Sequence, residues 1–165
     1  MTVTRSGRIL PVLVAAGAAL AVAAIGGTMT ELGPWYRALA KPAWQPPDPA
    51  FGVIWTLIFG LSAASGVTGW RAAAKLTTRE WLIGLFALNG FLNVLWSLLF
   101  FRLHRPDWAL IEVAGLWLSI VILMVFLARI SRAASGLLVP YIVWVSIAAA
   151  LNYEVVRMNP PFGPV

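Results

Sequence analysis

The chain has 165 residues, 61% of them hydrophobic and 11% charged, with a net charge of +6 and no cysteine. A soluble domain carries about 25% charged residues, so this composition leaves no room for a soluble catalytic module, and the missing cysteines exclude disulfides, thiolate catalysis and Cys-ligated metals. The positive charge does not mark a nucleic-acid partner: the basic residues flank apolar runs, where they anchor helices to lipid headgroups, and nowhere cluster along one segment.

The first apolar run, Ile9 to Thr30, follows Arg5 and Arg8 and is longer than the core of a signal peptide. It is expected to stay as an uncleaved membrane span, with Ala15, Ala19, Ala23 and Gly27 on one face for close helix packing. Residues 31–49, ELGPWYRALAKPAWQPPDP, break the pattern. Pro42, Pro46, Pro47 and Pro49 forbid a continuous helix, while Trp35, Tyr36, Leu39 and Trp44 are too apolar for a solvated linker. A stiff aromatic loop of this kind predicts a lid over the mouth of a helix bundle, with a short helical piece from Trp35 to Leu39.

Phe51 to Trp70 is a second span without a charge, and Trp81 to Phe101 is a third. Trp108 to Ala128 is the fourth, interrupted by Glu112, which the sequence reads as snorkelling to the interface. Ala133 to Tyr153 is the fifth. Each run is long enough to cross a hydrocarbon core of roughly 30 Å as a helix. The prediction is an all-α membrane protein, a single domain over residues 1–165 built as a five-transmembrane-helix bundle and embedded as a multi-pass protein in the lipid bilayer. The cations split seven (Arg5, Arg8, Arg71, Lys75, Arg79, Arg129, Arg132) against five (Arg37, Lys41, Arg102, Arg105, Arg157), which favours an interior N-terminus with the aromatic loop outside.

Nine tryptophans need an explanation. Trp70, Trp81 and Trp108 stand at span ends, where indoles suit the interface. Trp55, Trp96, Trp117 and Trp144 lie deeper, and an indole N–H in hydrocarbon needs a partner, which predicts a pocket or interhelical hydrogen bonds in place of lipid exposure. Phe51, Trp55 and Phe59 share one helix face, Asn89, Asn93 and Ser97 another, and Trp144, Ala148 and Asn152 a third, with Tyr141 nearby. Intramembrane asparagines are costly unless paired and should point inward. These faces describe either a cavity for a large, flat, mostly apolar ligand or an aromatic-rich packed bundle. His104, between Arg102 and Arg105 in a short loop, reads as solvated and not as a haem ligand, and no metal site is expected.

The run WYRALAKPAWQPPDPAFGVIW from Trp35 to Trp55 resembles the tryptophan-rich sensory protein (TspO) family, which includes the mitochondrial translocator protein, or peripheral benzodiazepine receptor. Asn89, Asn93 and Trp96, Phe100-Phe101, a tryptophan in span four, LLVPYIVW from Leu137 to Trp144, and Ala150-Leu151-Asn152 carry the resemblance to the end of span five. It implies a five-helix bundle, often a homodimer, that binds tetrapyrroles such as protoporphyrin IX and haem as ligands, with no obligatory cofactor. Animal members also bind cholesterol and drugs of the benzodiazepine and isoquinoline classes. By resemblance the pocket would use Tyr36, Pro42, Trp44, Trp55, Phe59, Asn93, Trp144 and Ala148. A counterpart of the sterol pattern lies in Leu151, Tyr153 and Arg157, a weak motif with Glu154 beside its apolar face.

A tetrapyrrole-binding sensor or regulator is the reading this favours. The alternatives are a light- and oxygen-dependent porphyrin-degrading enzyme, in which Trp55 and Trp144 would be the residues that exchange electrons, and a porphyrin transporter. Transport draws little from the sequence, which keeps Glu112 as the one candidate for a charged relay away from the span ends.

Overall fold

The computed structural model describes residues 5–162, with side chains from Ile9 onward. The helices are α1 (Arg5–Met29), α2 (Pro34–Ala38), α3 (Asp48–Ala72), α4 (Leu76–Ser97), α5 (Pro106–Ala128), α6 (Arg132–Gly136) and α7 (Val139–Met158). Five segments have the length and hydropathy to cross a membrane: Ile9–Met29, Asp48–Ala72, Leu76–Arg102, Pro106–Ala128 and Arg132–Met158. The protein is a multi-pass, five-span helical bundle.

The most uniformly apolar helix, α5, forms the axis and packs between α4 and α7. Its Leu116, Ile120, Leu123 and Leu127 meet Ile58, Leu82, Leu138 and Val145 in a filled core. Gly69 of α3 belongs to this tight region: a Cβ there would lie 2.6 Å from Leu127 Cδ2 and 3.4 Å from Leu82 Cδ2. In contrast, α1 packs on α3 and α4 and leaves Leu10, Leu13, Val14 and Leu20 facing outward, as lipid allows.

The span ends depart from simple helices in two places. After Ser97 the chain widens into one turn with i→i+5 hydrogen bonding over Leu98–Arg102, closed by Leu103 N–H donating to Leu98 O at 2.9 Å. The extra residue in this turn buries Phe100 and brings Phe101 to the cavity wall. His104 ends it in the left-handed region, at φ 53°. The fifth span is also interrupted, and its expected continuous helix is corrected to α6, a turn at Leu137 and Leu138, and α7. Pro140 has no N–H to donate to Gly136 O, so it starts α7 rather than continuing α6. Ser131 caps α6 by accepting from Ala134 N–H. Buried Ser65 in α3 donates to Ala134 O at 2.7 Å, and Ser135 donates to Met124 O at 2.9 Å, which fastens this end of the bundle.

The loop between α1 and α3 lies at the opposite end, beside the α4–α5 turn and the end of α7. Its helical piece, α2, falls where the sequence places it.

Candidate functional site

A cavity of about 880 Å³ opens beneath the loop, in the half of the bundle away from α6. Three kinds of wall build it. The small residues Ala16, Ala19, Ala23, Gly26 and Gly27 of α1 and Gly52, Gly60 and Ala63 of α3 leave the space. Aromatic residues fill its rim and depth: Trp55 and Phe59 stack with centroids 5.4 Å apart, and Phe51 meets Trp144 edge-on at 5.5 Å. Trp96 and Phe101 close the side toward the α4–α5 corner, their rings perpendicular at 6.0 Å.

The third wall is polar and comes from α4 and α7. Asn93 reaches the cavity and donates from Nδ2 to the Tyr141 hydroxyl at 3.2 Å. Tyr141 donates to Asn89 Oδ1 at 3.1 Å, Asn89 Nδ2 donates to Ser119 Oγ at 2.8 Å, and Ser119 donates to Leu116 O. Each buried group in this run has a partner, as hydrocarbon demands, and the chain ties α4, α5 and α7 together behind the pocket. A second link runs from Trp96 Nε1 to Asn152 Oδ1 at 3.1 Å and from Asn152 Nδ2 to Pro106 O at 2.8 Å. Among the described residues, one fully buried donor of the lining residues has no partner, Trp144 Nε1.

The lid is held from several sides. The Tyr36 hydroxyl donates to Asp48 Oδ1 and accepts from Gln45 Nε2, both at 3.2 Å. Burial, with the Asp48 carboxylate adding to it, pushes the Tyr36 phenol above its ordinary pKa. Lys41 Nζ lies 4.2 Å from the Tyr36 ring centroid and donates to Tyr36 O at 2.6 Å. Trp35 stacks on His104 at 4.2 Å and meets Phe100 edge-on, while Tyr36 leans on Phe101. Arg102 pairs with Glu31 at 3.2 Å, and Asn159 at the end of α7 bonds the backbone of Ala40.

Of the eight pocket residues expected, Tyr36, Trp55, Phe59, Asn93, Trp144 and Ala148 line this one cavity. Pro42 and Trp44 do not: Pro42 is buried within the loop and Trp44 is half exposed on its outside. Among the sterol-pattern residues, Leu151 is buried while Tyr153 and Arg157 face outward, and Arg157 is engaged with Glu154 at 2.6 Å. Positions two apart on a helix point to different sides, so the three do not share a face.

Two expectations are corrected. Glu112 does not snorkel: both its carboxylate oxygens are buried without a hydrogen-bond partner, because it stands beside Ala109, Val113 and Leu116 on the inward side of α5. Trp117 is 40% exposed on the outside of the bundle, although its N–H does find an interhelical partner in Ser146 Oγ at 3.0 Å. Sequence reasoning missed Asp48 and Asn159. Asp48 was legible as an acid in the first turn of a span; Asn159 carried no local signal.

The chain is similar to known proteins over most of its length. Residues 13–158 match the TspO/MBR family. The chain is 39% identical over 161 residues to the tryptophan-rich protein TspO of Chlorobaculum tepidum, covering 93% of this chain and 98% of that one. It is 33% identical to protein CrtK of Rhodobacter capsulatus, with 89% and 92% covered, and 29% identical to the human translocator protein, with 76% and 75% covered.

Proposed function

The chain belongs to the TspO/MBR family, whose membership supports a membrane sensor or regulator, and on that premise we propose that it binds a tetrapyrrole, protoporphyrin IX or haem, in the cavity beneath the lid. The observation that carries the proposal is the cavity itself: about 880 Å³, walled on several sides by Phe51, Trp55, Phe59, Trp96 and Trp144, with a few convergent polar groups. That is the size and character of a site for a large, flat, apolar molecule. A macrocycle face suits the indole and phenyl walls. The Asn93 amide, which reaches the cavity, suits a polar group on the macrocycle's edge.

His104 stacks on Trp35 outside the cavity, and among the described residues no histidine lines it. Haem would therefore find no imidazole for its iron in this cavity and would rest chiefly on its faces and edges.

The test is a titration of the purified protein with protoporphyrin IX, followed by tryptophan fluorescence. Strong saturable quenching is expected, and Trp55→Phe or Trp144→Phe should weaken binding or reduce the quenching amplitude at unchanged helical content. Titrations identical for wild type and both variants would place the ligand elsewhere.

A further inference from the structure

Among the described residues the cavity wall carries one formal charge, and it is negative. Asp48 lines the mouth, while among the described residues no lysine, arginine or histidine lines the space at all. The nearby cations are turned to other work. Lys41 donates to the carbonyls of Tyr36 and Leu39, Arg37 donates to Leu32 O, and Arg102 pairs with Glu31. Asp48 Oδ1 accepts from the Tyr36 hydroxyl at 3.2 Å, and no cation forms a salt bridge with its carboxylate among the described residues.

Asp48 also stands in the first turn of α3, whose N-terminal end carries partial positive charge. Left alone, that helix end would attract an anionic ligand group to the mouth. The carboxylate offsets it and replaces attraction with repulsion.

Resting on the proposal that the cavity takes a tetrapyrrole, we infer that Asp48 makes its mouth selective for an uncharged or hydrogen-bond-donating ligand edge and against a free carboxylate. Within the class, tetrapyrroles whose carboxylates are masked as esters bind in preference to the free diacid. Asp48 is a specificity-determining residue, and the chemistry it favours at the mouth is a hydroxyl, an amine or an ester-capped side arm.

The experiment compares protoporphyrin IX with its dimethyl ester on wild type and Asp48→Asn at neutral pH and low salt. Asparagine keeps an oxygen to accept from Tyr36, and comparing the ratio of the two dissociation constants between proteins cancels each compound's own partition into detergent. Two like charges at the mouth predict a diacid-to-ester ratio about tenfold higher for wild type than for the variant. Raising the salt should narrow the wild-type ratio, since Asp48 is exposed to solvent. Equal ratios for both proteins overturn the inference and leave the tetrapyrrole site standing. If the variant fails to fold, a wild-type ratio that does not move with salt overturns it instead. Failure of both compounds to bind wild type sinks the tetrapyrrole reading itself.

Discussion

Asn159 and Ala40, 119 positions apart in the chain, exchange two hydrogen bonds: Ala40 N–H donates to Asn159 Oδ1 at 2.8 Å and Asn159 Nδ2 donates back to Ala40 O at 2.9 Å. The same amide nitrogen also donates to Val155 O at 2.7 Å, so the clamp is anchored to the last turn of α7. One side chain thus fastens the middle of the lid to the bundle. Asn159→Ala should release residues 39–45 while leaving the helices intact. Limited proteolysis within the loop is expected to speed up severalfold, with unchanged circular dichroism. Cleavage at the wild-type rate would mean that the aromatic contacts of Trp35 and Tyr36 hold the lid unaided.

The Tyr36 phenol is raised above its ordinary value of about 10 by burial and by Asp48. The unfolded chain's phenol therefore ionises first as pH climbs. The stability this group contributes is whole below about pH 10 and declines above it, until the folded phenol also ionises. Tyr36→Phe should flatten that alkaline decline. Ultraviolet phenolate titration of wild type minus variant gives the Tyr36 curve directly, and a midpoint at the ordinary value would contradict the observed burial.

Tyr141 joins Asn93 to Asn89 through its hydroxyl, and Asn89 passes the chain to Ser119. Tyr141→Phe removes the central link and leaves two buried amides short of a partner. A loss of about 1–2 kcal/mol is expected, since hydrogen bonds between membrane helices are individually modest. Asn89→Leu together with Tyr141→Phe should cost less than the sum of the single changes, because both cut one network. Additive losses in thermal melts in detergent would show the links to be independent.

Gly69→Ala sets two effects against each other. Alanine gains about 1 kcal/mol of helix propensity over glycine. Its methyl would sit 2.6 Å from a carbon of Leu127, whose side chain is fully buried and has little room to retreat. Overpacking of that kind costs about 1–3 kcal/mol, so it should win and lower the melting temperature. A rise in melting temperature would show that Leu127 can move aside.

Much of the architecture was legible because lipid writes it plainly. A membrane span needs length, apolarity and an absence of charge, and each of these is local. Asn89 and Asn93 could be placed inside from the cost of an unpaired amide alone, and prolines flanking an aromatic cluster identified the loop and its single helical turn. The misses have a different origin. The widened turn at Leu98–Arg102 inserts one residue into a pattern that reads as ordinary helix. The break before Pro140 lies inside a run that is apolar enough to pass for one span. Glu112 could be placed by depth but not by rotation, and rotation decides whether a long side chain meets headgroups or neighbours. Asn159 acts on Ala40, 119 positions away, so no window along the chain contains its partner, while Asp48 shows its charge and helix position but not the open space it faces.

The packed half of the bundle has a kinetic consequence. Below the cavity, Ile58, Leu82, Ile120, Leu123, Leu127 and Leu138 fill the interior, and Ser65 and Ser135 stitch α6 across the end. A molecule held in the cavity, as proposed, would meet that filled core beneath it and find no open passage through the floor. On that proposal, the cavity would be refilled only after the previous guest had gone back toward the lid or out between the walls. For a binder of this shape, the residence time of one molecule would set the shortest interval between successive occupancies.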